Sequence, residues 1–404
     1  MAKKLWNRDF ILLLQGHTVS TLGDLMYSVA IGYWVYEKTG SNSLMGIMSS
    51  ISMFVTMFLS PFSGSIVDKF NRKRVMVLMD LMQSAVMLTV GILAATDRLN
   101  VPGILLAAFL AALGSVFYAS ASGTVLIDLI PRDDMVRGQS VYSGVNSFLN
   151  MTGTAFSGVL VAFFGVPLIV ILNGFSNLYS AVTELFIRVP KTVQQGQPVS
   201  VRSVLRDSRA ALKMIFADPC LRLFVPCMLI LNLLGAGPMT LALPFTLEKG
   251  FPVEFYGYLL TVWTAGFLIC TLVLGVVKLT PNTRFWVMAV GFSASVVLLT
   301  LGYLSRQFLP ICILVFVGAA MNCAGNTVFN ASLMLALPEE NRGAILGFIQ
   351  SSSIGGSALS VVLYGVLGDV FPLYLVFAIG TLISIIPMMY MSFHPVTKKF
   401  ILTH

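Results

Sequence analysis

The chain has 404 residues, of which 57% are hydrophobic and only 10% are charged, and its formal net charge is +8. Soluble domains carry more charged side chains than this, because charged residues cover their surfaces. Runs of about 20 apolar residues recur along the sequence, and each is long enough to cross ~30 Å of hydrocarbon. The composition therefore excludes soluble protein classes and predicts an all-α integral membrane protein.

Twelve apolar runs predict twelve transmembrane helices. The first run is too long for the apolar core of a signal peptide and lacks a small-residue cleavage site, so we expect it to remain as a span. The shortest connection, at Gly165, separates the fifth run from the sixth. The predicted spans are Phe10–Tyr36, Leu44–Ile66, Val75–Ala95, Ile104–Ile127, Val141–Phe164, Val166–Ile187, Leu223–Thr246, Tyr256–Val277, Phe285–Leu304, Ile311–Leu335, Ala344–Leu367 and Leu373–Phe393.

The basic residues predict the orientation in the membrane. With twelve spans, both termini lie on one side, and the other side keeps only Lys38, Arg98, Lys249 and Arg306 of the 25 Lys and Arg residues. The excess of basic residues marks the cytoplasmic side, so we expect both termini in the cytoplasm and the protein in the cytoplasmic membrane. The net positive charge then reflects topology, and we expect no nucleic-acid partner. The five cysteines lack disulfide or metal spacing, and we expect no cofactor and no metal.

The longest polar stretch divides the chain. We predict an N-terminal six-helix bundle over residues 1–189, a cytoplasmic linker over residues 190–221 and a C-terminal six-helix bundle over residues 222–404. A helical pattern in the linker predicts a basic amphipathic helix on the anionic inner leaflet, and a solvated loop helix is the alternative. Its apolar face holds Val201, Val204, Leu205, Leu212 and Ile215, and its basic face holds Arg202, Arg206, Arg209 and Lys213.

The two halves repeat one another. Arg137-Gly138 precedes the fifth span and Pro167-Leu168 opens the sixth, while Arg342-Gly343 and Pro372-Leu373 hold the same places in the second half, 205 residues later. A parallel repeat of two six-helix units resembles the architecture of major facilitator transporters, in which the substrate binds between the halves near the membrane midplane. The resemblance implies two pseudo-symmetric six-helix bundles.

The connection between the second and third spans strengthens this resemblance. The sequence from Gly64 to Lys73 resembles the signature of the major facilitator superfamily, and Asn71 stands where the signature has its second glycine. Asn also tolerates the left-handed turn that glycine favours. The resemblance implies a cytoplasmic charge latch, and the alternative is that these charges only set topology. The latch residues are Gly64, Asp68, Lys69, Arg72, Lys73, Asp80 and Asp128, and for Asp80 substrate binding is the alternative.

Within the superfamily, the chain is most similar to the macrolide-efflux-like group of drug:proton antiporters. The carriers of the similarity are Gly23-Asp24, Glu37-Lys-Thr-Gly-Ser41, Asp80, Pro238 with Pro244, and Pro338-Glu-Glu with Arg342-Gly343. The chain departs from the group at His17, where relatives often have Gln, and at Thr154, where they often have Pro. The predicted fourth span contains no arginine, so the arginine-based proton relay of some drug antiporters is absent.

Asp24 lies near the middle of the first span, where a carboxylate costs several kcal/mol unless it is protonated, hydrated or paired. His17, Thr21 and Asp24 form one polar stripe with Tyr27 nearby, and His17 lies ~10 Å from Asp24 along the helix axis. We interpret these four residues as a proton-coupling and substrate site. A structural hydrogen-bonding role for Asp24, and a packing or substrate-contact role for His17, are the alternatives.

No second carboxylate matches Asp24, since the repeat places Gly235 opposite it. We expect Glu184 to pair with Arg188, four residues later on the same helix. Neutral polar side chains inside other spans either line an aqueous path or hold helices together, and we assign them to the path. The candidate cavity-lining residues are Asn146, Asn150, Asn232, Asn322, Asn326, Asn330 and Trp263.

These features predict a secondary active transporter that exports lipophilic or amphiphilic small molecules by proton-coupled alternating access. Export of a lysolipid, a siderophore or a peptide is the alternative, and a non-transporting receptor is a further one. The sequence has three histidines and no nucleotide-binding loop, so we do not expect an enzyme. The expected partners are a small substrate, protons and membrane lipids, and the expected state is a monomer.

Overall fold

The computed structural model describes residues 5–67, 70–131, 134–189, 206, 209, 212–277, 280–336 and 342–395, and the regular elements within these residues are helices. Residues 212–217 are also helical. The main helices are α1 (Arg8–Thr39), α2 (Asn42–Val67), α3 (Arg72–Ala95), α4 (Val101–Leu129), α5 (Met135–Leu185), α6 (Pro219–Thr240), α7 (Ala242–Glu248), α8 (Glu254–Val276), α9 (Pro281–Leu304), α10 (Phe308–Ala336), α11 (Arg342–Val370), α12 (Leu373–Ile383) and α13 (Ile385–Phe393).

Local sequence signals begin and end these helices. Asn7 caps α1 by accepting a hydrogen bond from the backbone N–H of Phe10 at 2.8 Å, and Asn100 caps α4 in the same way. α1 ends at Gly40, whose φ of 62° is the left-handed conformation that glycine adopts at low cost. Pro281 occupies the first turn of α9, where its missing N–H breaks no helical hydrogen bond.

The fifth and sixth predicted spans form one continuous element with a sharp break. Gly165 has φ 74° and ψ 162°, a conformation that glycine tolerates, and Pro167 follows it. We call residues 135–164 α5a and residues 166–185 α5b. The predicted seventh span is divided into two helices, α6 and α7, at Leu241, and the predicted twelfth span is divided into α12 and α13 at Ser384.

Ten segments of the described helices are long and apolar enough to cross a membrane. Two further long helices, α1 and α5a, occupy the positions of the first and fifth predicted spans. The polar residues of α1 lower its mean hydropathy, since its sequence includes His17, Asp24 and several hydroxyl side chains. The architecture is an all-α integral membrane fold, and these elements are consistent with twelve spans.

Residue contacts divide the chain into two units. The first bundle comprises Met1–Gly40 and Ile51–Ser200, and the second bundle comprises Ser41–Ser50 and Val201–His404. The start of α2 belongs to the second bundle because Asp369 caps it: the carboxylate accepts hydrogen bonds from the backbone N–H of Asn42 at 2.6 Å and from the hydroxyl of Ser41 at 3.0 Å. A carboxylate at a helix N-terminus also interacts favourably with the helix dipole.

The predicted amphipathic helix of the linker lies largely outside the described residues. Of its apolar face, Ile215 is buried and packs in the core of the second bundle with Leu221 and Phe224, while Leu212 is partly exposed. The end of the linker region is thus part of the second bundle's core.

Candidate functional site

A stripe of buried polar side chains runs along α5b. Asn173, Asn177, Ser180 and Glu184 are each at most 1% exposed. Their spacing of four, three and four residues places them on one face of the helix. Asn177 donates hydrogen bonds from its side-chain amide to the backbone carbonyl of Asn173 at 3.1 Å and to its side-chain oxygen at 3.0 Å. This face of α5b is directed into the first bundle.

Asp24 lies against the N-terminal part of this stripe, at Asn173 and Asn177. Its carboxyl group is beside the side-chain amides of Asn173 and Asn177. α1 approaches α5b closely at Gly23, where a Cβ atom would collide with the side chains of Ser176 and Asn173. Glycine at position 23 therefore allows the backbone contact that brings Asp24 to the amides.

Asp80 and Glu184 lie closer than Asp24 to the end of the first bundle where α1 begins, and each is 1% exposed. Ser180 is beside both carboxyl groups, and Tyr118 is beside Glu184. One carboxyl oxygen of Asp80 and both oxygens of Glu184 have no hydrogen-bond partner within normal geometry, and the same holds for the hydroxyls of Ser180 and Tyr118. The structure thus places a pair of carboxyl groups in the same bundle as Asp24.

The placement of Glu184 and Asp80 differs from the sequence-based interpretation. Glu184 does not pair with Arg188, because α5 ends at Leu185 and the four-residue helical spacing is lost; the backbone N–H of Arg188 instead donates to Asp9 at 3.1 Å. Asp80, which we assigned to the latch, is ~12 Å along α3 from Arg72. The structure places it with Ser180 and Glu184.

His17 lies on the same face of α1 as Asp24 but has different neighbours. Its Nε2 atom is 2.8 Å from the side-chain oxygen of Asn146, so we assign the proton to Nε2 as the donor. The imidazole stacks on Tyr142 with ring centroids 4.7 Å apart, and the ring of Tyr118 is parallel to it at 6.4 Å. These contacts join His17 to the aromatic groups beside Glu184.

The other predicted members of this site lie on the same part of α1. Thr21 and Tyr27 are half-buried, and the buried hydroxyl of Tyr27 has no hydrogen-bond partner. Asn150, on α5a, is exposed and donates a hydrogen bond to the backbone carbonyl of Asn146 at 2.9 Å. The structure therefore brings Asn146 to His17 and leaves Asn150 at the surface of α5a.

The predicted latch contains a largely buried ion pair. Nη1 of Arg72 is 2.8 Å from Oδ2 of Asp128, and their side chains are 9% and 16% exposed. Lys73 donates to the carbonyl of Leu185 at 2.6 Å, which satisfies the C-terminal end of α5. A Cβ atom at position 64 would lie 3.7 Å from the hydroxyl of Ser120, an ordinary van der Waals contact. Asp68 and Lys69 lie outside the described residues.

Asn71 differs from the sequence-based interpretation of this motif. Its φ of −71° and ψ of 109° are extended rather than left-handed, and its side chain accepts a hydrogen bond from the backbone N–H of Arg74 at 3.2 Å. Asn71 is therefore the N-cap of α3, a position at which asparagine is more common than glycine.

The second bundle contains a cavity of about 300 Å³. Apolar and aromatic side chains form most of its wall, and among the described lining residues none is charged. The predicted residues that line it are Asn232, Trp263, Asn322 and Asn326. Asn330 is exposed and does not line it.

The amides of α10 bond along their own helix. Asn326 donates to the side-chain oxygen of Asn322 at 2.8 Å, and Asn330 donates to the backbone carbonyl of Asn326 at 2.9 Å. These bonds do not connect α10 to another helix, so they favour a lining role over a helix-joining one. Sequence reasoning found this ladder by its four-residue spacing but missed the equivalent spacing of Asn173, Asn177 and Glu184.

Comparisons with known proteins agree with this architecture. A family model described as the Major Facilitator Superfamily matches residues 13–277. Macrolide efflux protein A of Streptococcus pyogenes is 23% identical over 211 residues, which are 52% of this chain and 52% of that protein. The MFS-type transporter YfiS of Bacillus subtilis is 24% identical over 378 residues, 90% of this chain and 87% of its own. The multidrug efflux pump Tap of Mycobacterium tuberculosis is 26% identical over 160 residues, 38% of each chain. The match thus spans about half the length of the macrolide efflux protein.

Solved structures show the same fold at low sequence identity. A bacterial homologue of the human lysosomal transporter Spinster has a TM-score of 0.75 at 13% identity, over 100% of this chain and 99% of that one. The nucleoside transporter NupG has a TM-score of 0.73 at 13% identity, over 94% of this chain and 98% of its own. Since the family model covers more than half of the sequence and the helical fold agrees with it, this chain belongs to the Major Facilitator Superfamily of membrane transporters.

Proposed function

We propose that this transporter exports a lipophilic or amphiphilic small molecule from the cytoplasm and drives the export with the proton gradient. One observation carries the proposal. The carboxyl group of Asp24 lies inside the first bundle, and no ion pair among the described residues includes it. A carboxyl group inside a membrane is costly when it is charged and unpaired. Asp24 is therefore the candidate coupling group, and His17, Thr21 and Tyr27 surround it on α1.

The cavity of the second bundle supports the proposed class of substrate. Its volume lies at the lower end of the range for small-molecule sites, and its wall combines aromatic and Met side chains with a few amides. Trp263 and Phe329 offer flat apolar surfaces, and Asn322 and Asn326 offer neutral hydrogen-bonding groups. An anionic substrate such as a sugar phosphate would need Arg or Lys in this wall, so a neutral amphiphile or lipophilic cation fits better.

The names of the relatives support the same direction. One relative is a macrolide efflux protein and another is a multidrug efflux pump, and both match only part of this chain. Export of drug-like molecules is therefore our proposal for this chain rather than a property that follows from its family alone.

Alternating access completes the proposal. The Arg72–Asp128 pair lies where α3 begins and α4 ends, the end of the first bundle that we assign to the cytoplasm. An ion pair at such a position can form in one conformational state and separate in another. We assign both termini to the cytoplasm and the protein to the cytoplasmic membrane, because the distribution of Lys and Arg supports this orientation.

Transport by purified protein in liposomes tests the proposal. An imposed proton gradient should drive the accumulation of compounds from a panel of macrolides, lipophilic cations and neutral amphiphiles. Asp24→Asn should abolish this accumulation while equilibrium binding of the same compound stays measurable. Asp97→Asn is the matched control, because Asp97 is an exposed carboxylate that pairs with Lys38 at the surface.

Three outcomes would contradict the proposal. Full gradient-driven activity of Asp24→Asn at wild-type protein levels would remove Asp24 from the coupling role. If only lysolipids, siderophores or peptides were transported, the proposed substrate class would be wrong. Absence of flux for every compound, with binding retained, would indicate a receptor.

A further inference from the structure

We propose that Asp80 and Glu184 form a second proton-binding pair, which exchanges protons between Asp24 and the end of the first bundle where α1 begins. This inference rests on the proposed coupling role of Asp24 and adds the route by which its proton travels. The route lies within the first bundle, along the polar stripe of α5b.

The depths of the three carboxyl groups form a series. At a rise of about 1.5 Å per residue, Asp24 is ~24 Å from the start of α1, Asp80 is ~12 Å from the start of α3, and Glu184 is in the last turn of α5. These helix ends meet, because Lys73 bonds to the carbonyl of Leu185 and Asp9 accepts from the N–H of Arg188. The carboxyl groups thus lie at successive depths from one end of the bundle.

Polar groups fill the intervals between the carboxyl groups. Asn177 is beside Asp24, and Ser180 follows it on the same face of α5b and is beside both Asp80 and Glu184. The Ser180 hydroxyl is fully buried and has no hydrogen-bond partner within normal geometry. A hydroxyl can donate its hydrogen to one carboxylate while it accepts a hydrogen bond from a protonated carboxyl group. Ser180 is therefore placed to join the two acids.

The Tyr118 hydroxyl gives an independent indication of a ligand at this place. The side chain is 8% exposed, lies beside Glu184, and its hydroxyl also lacks a partner. Buried polar groups are normally hydrogen-bonded, and each exception needs an explanation. The hydroxyls of Tyr118 and Ser180 can donate to carboxylate oxygens, and a proton on Glu184 or Asp80 would add a donor that the remaining acceptor oxygens can use.

No cation balances these acids among the described residues. None of the described ion pairs includes Asp24, Asp80 or Glu184. The titratable groups that face the pair are Asp24 from α1, Tyr118 from α4 and Tyr142 from α5a, with His17 stacked between the two tyrosines.

Nearby carboxylates that cannot all be charged in a low-dielectric space share protons, as in other paired acids. The carboxyl groups also do not converge as metal ligands do, since the described residues contain no group of three or more such side chains that could hold a metal ion. A proton is thus the ligand that fits the pair.

Each step of the route transfers one proton. Asp24 loses its proton as its O–H bond breaks, and an O–H bond forms on a carboxylate of the Asp80–Glu184 pair. The pair later releases one proton to water at the end of the bundle where α1 begins. The pair returns to its starting charge after each cycle, and no other reactant is consumed.

Glu184→Gln, Asp80→Asn and Ser180→Ala test the route in liposomes. We expect the two acid variants to lower gradient-driven transport by about a hundredfold or more, the size of effect typical of a lost proton-transfer group. Substrate binding at equilibrium should stay within about twofold, because neither acid lines the cavity of the second bundle. The conservative variants Glu184→Asp and Asp80→Glu should restore part of the rate, which a purely structural role of the side chain would not predict.

Infrared difference spectra supply a readout that does not depend on transport. The wild-type protein should show the absorption of a protonated carboxyl group at neutral pH, and Glu184→Gln or Asp80→Asn should reduce it, whereas Asp97→Asn should leave it unchanged. Ser180→Ala should slow proton exchange without removing the band.

The outcomes separate this inference from the proposed function. If Asp24→Asn loses coupling while both acid variants keep wild-type rates and the carboxyl band, the route is wrong and the coupling role of Asp24 stands. If Asp24→Asn keeps full coupling, the proposed function fails as well. Dependence of wild-type transport on sodium, lost in Glu184→Gln, would overturn the assignment of a proton to the pair.

Discussion

The interiors of the two bundles contain different chemistry although the halves repeat in sequence. The first bundle buries the acids Asp80 and Glu184 and contains the largely buried ion pair of Arg72 with Asp128. The buried polar side chains of the second bundle, among the described residues, are hydroxyls and the amide of Asn42. Among the described residues, the first half therefore buries acidic side chains, and the second half contains a cavity without charged lining residues.

The same contrast appears at a close helix contact in each bundle. In the first bundle, the glycine beside Asp24 leaves room for the polar stripe of α5b. In the second bundle, Gly237 leaves room for the ring of Tyr364, whose hydroxyl donates to the carbonyl of Leu234 at 2.7 Å. A close helix contact thus makes room for amides in one half and for an aromatic ring in the other. Under the proposed function, the duplicated fold divides coupling and substrate binding between its copies.

Loss of the buried charged pair should have the largest effect on stability. Arg72→Met leaves Asp128 buried without its partner, and we expect it to lower the free energy of unfolding by about 3 kcal/mol or more. The double variant Arg72→Met/Asp128→Leu should recover much of that loss. Lys38→Met, which breaks an exposed pair, should change the free energy by less than about 1 kcal/mol. Thermal unfolding in detergent measures all three, and an Arg72→Met protein as stable as wild type would show that the pair is weak.

Two glycines, one in each half, give a direct contrast. Gly23→Ala should lower the free energy of unfolding by about 1–3 kcal/mol, because its Cβ would collide with Ser176 and Asn173. Gly235→Ala should be neutral or slightly stabilising, since no heavy atom lies within 4 Å of the added Cβ. If Gly23→Ala and Gly235→Ala changed thermal unfolding and transport equally, the close contact of α1 with α5b would be contradicted.

The cavity should determine substrate affinity without affecting coupling. Trp263→Ala should weaken the apparent affinity by about 5-fold to 30-fold, the effect of losing ~1–2 kcal/mol of aromatic contact. The number of protons moved per substrate should stay the same. Trp286→Ala is the control, because Trp286 is 52% exposed and does not line the cavity. A changed proton ratio in Trp263→Ala would place the coupling site in the second bundle.

His17 should have the smallest effect. His17→Gln keeps a side-chain N–H that can donate to Asn146 and removes the imidazole, whose ordinary pKa lies near neutrality. We expect the dependence of transport on pH to stay unshifted between about pH 5.5 and 7.5. A shifted or flattened profile, with protein levels unchanged, would instead make His17 a member of the proton route.

The sequence predicted the positions of the helices and part of the site. Apolar runs of span length locate the helices because hydrocarbon thickness sets that length. The spacing of Asn322 and Asn326 predicted their shared face, and helical geometry alone is enough for that prediction. The resemblance to the superfamily also named Arg72 and Asp128, which the structure brings into contact.

The polar stripe of α5b could not be predicted by the same reasoning. The prediction for Glu184 assumed that the helix continued to Arg188, but the helix end at Leu185 removed that partner. The place of Asp80 depends on which helices meet it, and spacing along one helix does not determine that. The internal repeat relates Asp24 to Gly235 in the other half. The side chains beside Asp24, however, are Asn173 and Asn177 of the same half.

The most direct test of the account is the number of protons moved per substrate in sealed liposomes that contain purified protein. An outward substrate gradient in the absence of a pH gradient should drive proton movement in the opposite direction in wild-type protein. Asp24→Asn should bind the same substrate and move no protons, and Asp97→Asn should behave as wild type. Substrate-driven proton movement of wild-type size in Asp24→Asn would contradict the central claim that the first bundle couples transport to protons.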